Sequence, residues 1–231
     1  MDEGSARHRL SDQAYDALRG MIVRGALAPN SRLVEATLAA RLGIGRTPLR
    51  EAILRLAEDD LIVVIPQSGS FVAPIRADRV AEAQFVREHL ESAIIRETAR
   101  AIDAAGLARL ERILRHQREA SREGNPDLFY SLDEELHAAF AAIAGRPAVW
   151  RLVARNKVHL DRVRRLSLPM PLQIPRLIRQ HTAIVAALAA ADPTAAETAL
   201  RLHLKEVFAT MKTLGLEDEG GRDHAPSSAA G

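Results

Sequence analysis

The sequence contains no cysteine, only three lysines among its 32 basic residues, and only 3% aromatic residues. Without cysteine, disulfides and thiolate metal sites are excluded. No apolar run approaches the length of a membrane-spanning helix, and the N-terminal segment MDEGSARHRL has no signal-peptide core. We therefore expect a cytoplasmic protein without a membrane partner.

The overall charge is close to balanced, with a formal net charge of +2. Such a small excess gives no general electrostatic argument for nucleic-acid binding. Arginine supplies nearly all of the positive charge, and its guanidinium group suits forked contacts to phosphate or guanine. Any argument for DNA binding therefore depends on where individual arginines lie.

The composition changes near residue 76 and divides the chain into three parts. Residues 8–76 combine short helical patterns with two β-type runs, whereas residues 78–214 are almost entirely helical in pattern. Residues 215–231 are polar and rich in glycine, which predicts a disordered tail. The expected fold is mostly α: an N-terminal winged helix-turn-helix domain followed by an antiparallel all-helical bundle.

The first part shows the pattern of three helices followed by a β-hairpin. The predicted helices span 12–24, 34–42 and 46 or 47 to about 59. The predicted strands span 61–65 and 70–73. Thr47 before Pro48 fits an N-cap followed by proline at the first helical position.

The second and third predicted helices are joined by the turn Gly43-Ile44-Gly45, which is the pattern of a helix-turn-helix. In that motif the second helix enters the major groove with its N-terminal residues. These residues include Arg46, Thr47 and Arg50, and both arginines could reach a guanine edge or the neighbouring phosphates. Short helices around a glycine turn also occur in proteins that do not bind DNA, so the pattern alone leaves both alternatives open.

The second part contains about six helical patterns separated by breaks at glycine, proline and aspartate. The predicted helices span 79–104, 107–123, 127–144, 147–166, 175–191 and 194–214. Helices of this length with short connections are typical of an antiparallel bundle.

Three histidines and one aspartate lie on or beside the apolar faces of these helices. Asp133 and His137 are four residues apart at the edge of one face, and His181 and His203 lie on the faces of the last two helices. If these side chains converge inside a bundle, they suit a divalent ion such as zinc or nickel. An inward histidine is also common as a hydrogen-bonded core residue, so spacing alone leaves both alternatives open.

Three further polar residues form a candidate effector site. Arg87 lies on the apolar face of helix 79–104, where a buried guanidinium needs an anionic partner. That partner could be an internal carboxylate or the carboxylate of a bound acid. On helix 147–166, Asn156 is predicted to face inward with His159 beside it, either as ligand-binding residues or as ordinary bundle residues.

Two other classes of protein fit parts of the pattern. The first is a metal-dependent helical-bundle enzyme or hydrolase, but a ferritin-like site needs two Glu-x-x-His pairs and the chain has only Glu134 to His137. The His-Asp dipeptide of phosphohydrolases is also absent. With no evident general base, the pattern favours a sensor over an enzyme. The second is a helical interaction module whose winged helix does not bind DNA. Arg46 and Arg50 at the start of the third predicted helix argue against this second class.

The stretch LAARLGIGRTPLREAILRLAEDDLIVVIPQSGSFVAPI resembles the N-terminal domain of the GntR family of bacterial regulators. The shared pattern is a leucine-rich helix, a glycine turn, an Arg-Thr-Pro-x-Arg-Glu-Ala run and a Gly-x-Phe-Val wing, and it covers roughly residues 10–75. The resemblance implies DNA contacts at Arg46, Thr47, Arg50, Ser68 and Gly69. Ala36 stands where some relatives carry an operator-contacting arginine, so Arg32 or Arg41 could contribute instead.

The segments LDEELHAAFAAIAGRP, RQHTAIVAALAAADPTAAE and ALRLHLKEV resemble the helical effector domain of the FadR-type branch of that family, called the FCD domain. In metal-containing members an Asp and three His hold the ion, which the resemblance places on Asp133, His137, His181 and His203. Such domains usually bind small organic acids, often at the metal. The implied function is a transcriptional regulator, not an enzyme, that binds palindromic operator DNA as a homodimer and responds to a small carboxylate.

Overall fold

The computed structural model describes residues 3–216 and shows a mostly helical protein with one small antiparallel sheet. This confirms the predicted fold class. The predicted disordered tail, 215–231, lies outside the described residues from 217 onward.

The N-terminal part is a winged helix-turn-helix. Its elements in chain order are α1 (Glu3–Val23), β1 (Arg32–Leu33), α2 (Glu35–Leu42), α3 (Arg46–Glu58), β2 (Ile62–Ile65) and β3 (Gly69–Val72). Strand β3 lies between the other two, and both β1 and β2 pair with it in antiparallel orientation, with Arg32 and Val63 each opposite Phe71. Apolar residues from all three helices and the sheet form one core, in which Leu18 and Leu49 are fully buried.

Three details of this domain differ from the sequence prediction. Helix α1 begins at Glu3 rather than at residue 12. The N-cap of α3 is Gly45 rather than Thr47, so that Pro48 occupies the third helical position. Proline is tolerated there because the amides of the first helical turn have no partner within the helix. Strand β1 is not predicted, since two residues are too few to show an alternating pattern.

The C-terminal part has eight helices within the described residues, two more than the six predicted patterns. They are α4 (Ala77–Ala101), α5 (Ala104–Arg122), α6 (Pro126–Ile143), α7 (Pro147–Asn156), α8 (Val158–Ser167), α9 (Gln173–Ala189), α10 (Pro193–Leu204) and α11 (Glu206–Thr213). Four predicted helices correspond to single helices. The patterns 147–166 and 194–214 are each divided, at Lys157 and at Lys205.

The break at Lys157 coincides with a buried cluster of charges. The Lys157 ammonium group lies 2.6 Å from Asp161 Oδ1 and 2.8 Å from Glu134 Oε2. These contacts hold a long polar side chain inside the domain at a point where an uninterrupted apolar face is predicted. The sequence shows no glycine or proline here that would indicate the end of a helix.

The break also changes which residues face the interior. Leu160 and Val163 are buried on α8, whereas Leu152 and Asn156 are exposed on α7. The prediction that Asn156 faces inward is therefore wrong, because its helix ends at this residue.

The main core of the helical domain lies between α4, α5, α6, α9 and α10, with fully buried residues such as Ile95, Leu110 and Leu136. The helices that enclose this core carry the candidate metal ligands. Among the described residues, none of the helices is both long and apolar enough to cross a bilayer.

Candidate metal centre and DNA-binding face

The N-terminal residues of α3 form an exposed surface beside the helix-turn-helix. Arg46, Thr47 and Arg50 are all exposed, and Gly43 ends α2 with φ +65°, a left-handed conformation that glycine adopts readily. The Arg50 guanidinium lies 2.8 Å from a carboxylate oxygen of Glu35, with 67% of the Arg50 side chain exposed. Because exposed ion pairs contribute little free energy, another anion can replace this partner at little cost.

The turn between β2 and β3 forms the tip of the wing. Ser68 is exposed, and Gly69 takes φ +115°, a conformation that favours glycine. A Cβ at position 69 would be 3.4 Å from Arg32 Nε, so the guanidinium of Arg32 on β1 lies against the wing tip. This placement is consistent with Arg32 as the alternative DNA contact.

Asp133 and His137 on α6, His181 on α9 and His203 on α10 converge in the interior of the helical domain. One ligand atom from each residue lies within 4.8 Å of all the others. All four are buried, with exposed fractions of 0, 1, 0 and 4% in chain order. Two ligands of one ion are separated by up to about 4 Å. A small inward movement would therefore bring all four onto a single divalent ion.

Each of the three histidines is oriented by a hydrogen bond at Nδ1. The acceptors are Glu91 Oε2 for His137 at 2.5 Å, Gln117 Oε1 for His181 at 2.8 Å and Gln180 Oε1 for His203 at 3.1 Å. The two amide groups are fixed in turn, because their nitrogens donate to Leu132 O and Glu206 Oε2. Because an oxygen acceptor faces Nδ1 of each histidine, the proton of each ring must lie on Nδ1. Each ring therefore keeps an unprotonated Nε2, the tautomer that a metal ligand needs.

These three acceptors are absent from the sequence prediction. Glu91 lies one helical turn from Arg87, and that spacing is a signal for an ion pair. Gln117 is fully buried on α5, in an apolar series that includes Ile113. The spacing of Arg87 and Glu91 and the place of Gln117 in an apolar series are both visible in the sequence. Neither feature identifies the histidine that Glu91 or Gln117 contacts.

The centre contains two buried polar atoms without a hydrogen-bond partner, Asp133 Oδ1 and His181 Nε2. The two atoms are 3.4 Å apart. An unpaired buried polar atom costs about 1–3 kcal/mol, and here two electron-pair donors lie side by side. A divalent cation would satisfy both atoms, so the residues fit a metal.

The protonation states also suit metal ligands. Burial lowers the pKa of His181, and burial together with the neighbouring histidines lowers the pKa of His203 well below 6.5. Burial alone would raise the pKa of Asp133, but Arg164 and the neighbouring histidines lower it well below its usual value. At neutral pH His181 and His203 are therefore neutral imidazoles and Asp133 is an ionised carboxylate, as metal binding requires.

Arg87 has an internal carboxylate partner, which was one of the two predicted alternatives. Its Nε lies 2.6 Å from Glu91 Oε1, and its Nη2 lies 3.2 Å from His137 Nε2. Arg87 and Arg164 both line a small cavity beside His203. One buried and one partly buried guanidinium group next to the ligand set make this cavity a candidate site for an anion.

The other two predicted effector residues lie elsewhere. The Asn156 amide nitrogen donates to Leu152 O, and His159 Nε2 lies 3.1 Å from the carbonyl oxygen of Asp59 in the winged-helix domain. Both residues line a cavity between the two domains. The structure therefore brings Arg87 to the candidate metal ligands, but not Asn156 or His159. Helix α8 begins after Lys157, and its first residues, Val158 and His159, contact the winged-helix domain.

Comparison with known proteins gives the family of the chain. The family model "Bacterial regulatory proteins, gntR family" matches residues 10–72, and the "FCD domain" model matches residues 82–206. These two ranges correspond to the winged helix and to most of the helical domain.

Relatives match across both domains. An uncharacterized HTH-type transcriptional regulator in an unstable DNA locus of Streptomyces ambofaciens is 38% identical, over 84% of this chain and 81% of the relative. The HTH-type transcriptional repressor RspR of Escherichia coli (strain K12) is 34% identical, over 90% of this chain and 92% of the relative.

The fold also matches a solved structure. The structure of E. coli McbR/YncC superposes with a TM-score of 0.74 at 22% identity, covering 89% of this chain and 98% of that chain. The gntR family model describes regulatory proteins, and both relatives above are named as transcriptional regulators rather than enzymes. The chain therefore belongs to the GntR family of bacterial transcriptional regulators and carries an FCD effector domain.

Proposed function

We propose that this regulator binds a palindromic operator as a homodimer. We further propose that a small carboxylate, bound beside a divalent metal in the FCD domain, changes its affinity for that operator. The observation that carries the metal proposal is the buried convergence of Asp133, His137, His181 and His203. Because operator DNA is the target, we place the protein in the cytoplasm.

The DNA-binding part of the proposal is supported by the exposed head of α3. Arg46 and Arg50 would contact guanine edges or phosphates in the major groove, and Thr47 would contact a phosphate. Ser68 and Gly69 would bring backbone amides to the DNA at the wing tip. One such domain contacts only a few base pairs, so a two-fold symmetric dimer on a palindrome supplies the rest of the specificity.

The metal would be held by three imidazole nitrogens and one carboxylate oxygen, a donor set that suits zinc or nickel. An ion that prefers octahedral coordination would supply a Lewis-acidic centre to which the oxygens of an acid could also bind. Glu91, Gln117 and Gln180 would hold the ligand rings in the required tautomer and orientation.

The acid-binding part is supported by the cavity that Arg87 and Arg164 line. A guanidinium group binds a carboxylate through paired, charge-assisted hydrogen bonds. The cavity holds only about 30 Å³, which is room for about two water molecules. This size favours a small acid, because a larger one must displace surrounding side chains.

The test starts from DNA duplexes that the wild-type protein selects from a random library. The dissociation constant of a selected duplex is measured with chelator-treated protein, with zinc-loaded protein, and with zinc plus each member of a panel of hydroxy acids, sugar acids and dicarboxylates. At least one acid is expected to change this constant by about 5–150-fold. By linkage, the duplex must change the affinity for that acid by the same factor.

Two outcomes would contradict the proposal. In the first, acids bind in calorimetry but none changes operator affinity, which would rule out sensing. In the second, Arg87→Ala binds the acid as tightly as wild type does, which would remove Arg87 from the effector site. Failure to select any specific duplex would contradict the DNA-binding part separately.

A further inference from the structure

Helix α8 contacts both the candidate metal centre and the DNA-binding domain. At the centre, Arg164 donates a hydrogen bond to Asp133 Oδ2, the oxygen beside the unsatisfied Oδ1. Near the start of the helix, Val158 packs into the core of the winged-helix domain. Since both residues belong to one ten-residue helix, a displacement at the metal centre also moves the contact with the DNA-binding domain.

His159 joins α8 to the C-terminal end of the helix that would enter the major groove. Its Nε2 lies 3.1 Å from the carbonyl oxygen of Asp59, which is the C-cap of α3. The ring is only 7% exposed, and burial lowers its pKa. Neutral His159 therefore donates from Nε2 to a carbonyl that has no partner within its own helix.

Arg162, one turn further along α8, holds the joint between the two domains. Its guanidinium is 3% exposed and donates to the carbonyl oxygens of Ala73 at 2.6 Å and Pro74 at 3.3 Å. Carbonyl dipoles balance this buried charge less completely than a carboxylate would. Small changes in the position of α8 should therefore change the free energy of this contact.

We propose that α8 transmits metal occupancy to α3, with Arg164 as the contact at the metal centre and His159 and Arg162 as positioning residues. This inference rests on the proposed metal site. A divalent cation held by Asp133 takes up part of the carboxylate charge and repels Arg164, so the ion pair with Asp133, one of two that tie Arg164 of α8 to α6, weakens. The contacts at Asp59 and at the joint then shift, and the direction of α3 in the dimer changes with them.

The test compares operator affinity with and without zinc in four proteins. They are the wild type, His159→Leu, which loses the donor to Asp59, His159→Gln, which keeps an N–H donor, and His116→Leu, which changes an exposed histidine on α5. The probe is a duplex selected by the wild type. The coupling is the ratio of its dissociation constants for zinc-loaded and chelator-treated protein.

We expect a wild-type ratio of about 5–150-fold in either direction. In His159→Leu the ratio should fall toward one while zinc affinity stays at the wild-type value. His159→Gln should restore the ratio, and His116→Leu should retain it. A purely structural role for His159 would lower the melting temperature without changing the ratio. If His159→Leu does not fold, Arg162→Met provides the same test at the joint.

Two results would overturn the inference. One is an unchanged ratio in both His159→Leu and Arg162→Met. The other is a wild type that binds zinc but has equal operator affinity with and without it, a result that leaves acid sensing standing. A wild type that binds no zinc would instead contradict the proposed function itself, so the two failures are distinguishable.

Discussion

Glu91 Oε2 on α4 lies 2.5 Å from His137 Nδ1 on α6, so that a buried carboxylate fixes the ring of a proposed metal ligand. Burial alone would raise the pKa of Glu91, but Arg87 and His137 lower it to about 2. The carboxylate is therefore charged at neutral pH. A charged acceptor at Nδ1 increases the basicity of Nε2, so the affinity of the proposed metal centre depends on a residue outside the ligand set.

Glu91→Gln should lower zinc affinity by about 10–100-fold, because the amide can still accept a hydrogen bond but has lost the charge. The variant also removes the carboxylate from buried Arg87, so the melting temperature of the metal-free protein should fall. Competition with a chromogenic chelator measures the zinc affinity. Glu82→Gln, at an exposed position on the same helix, should change neither property. Equal zinc affinity in Glu91→Gln and wild type would contradict this role.

The stability of the metal-free protein should decrease as the pH falls below 6.5, the ordinary pKa of histidine. His159, His181 and His203 have lower pKa values in the folded state, chiefly because they are buried. Below 6.5 the unfolded chain takes up protons that the folded protein does not. The free energy of unfolding then falls by up to about 1.4 kcal/mol per pH unit for each group. Above 6.5 both states are mainly neutral, and this dependence ends.

Urea denaturation in the presence of a chelator, from about pH 5 to 8, measures that slope. His203→Gln removes one of these three groups and should flatten the dependence, whereas His116→Gln, at an exposed position on α5, should retain it. Asp133 and Glu91 also have lowered pKa values. Their contribution is present above their ordinary pKa values and is lost only in more acidic solution. Stability that stays constant between pH 5 and 7 would refute the assignment of neutral histidines.

Much of the candidate site follows from the spacing of residues in the sequence. Asp133 and His137 are one helical turn apart, and His181 and His203 occupy apolar positions, so periodicity places all four toward the interior. Periodicity does not identify partners on other helices. The contact between Gln117 and His181 spans 64 positions in the chain and depends on how α5 packs against α9.

The mistaken inward placement of Asn156 has a different physical cause. Its prediction assumes one continuous helix over 147–166, and the sequence there has no internal glycine or proline. The helix ends because Lys157 is buried among carboxylates of α6 and α8. That ion-pair cluster forms only in the folded domain, so local patterns could not indicate it.

Arg50→Ala should weaken binding to the selected operator by about 1–3 kcal/mol if the guanidinium contacts a guanine. Random-sequence DNA should be affected less. Fluorescence anisotropy at one fixed salt concentration measures both affinities. Arg112→Ala, at an exposed position on α5, serves as the control and should change neither. Equal losses on the two kinds of DNA would mean that Arg50 contacts only phosphate.

Gly69→Ala should destabilise the wing by about 1–3 kcal/mol, because the backbone at φ +115° is strained for any residue with a Cβ. The new Cβ would also lie 3.4 Å from Arg32 Nε, so operator affinity should fall. Gly45→Ser is the comparison, since Gly45 has φ −71° and is the N-cap of α3, where serine is favoured. If Gly69→Ala binds the operator as tightly as Gly45→Ser does, the wing tip does not contribute to binding.

The existence of the metal centre is tested most directly by zinc titration of chelator-treated protein, combining calorimetry with elemental analysis. Wild type should bind one zinc ion per chain and gain melting temperature on binding, because a ligand of the native state stabilises that state. His181→Ala should lose both effects, while His116→Ala should keep them. If the wild type binds neither zinc nor nickel, or if His181→Ala binds one ion per chain with unchanged affinity, then Asp133, His137, His181 and His203 do not form a metal centre.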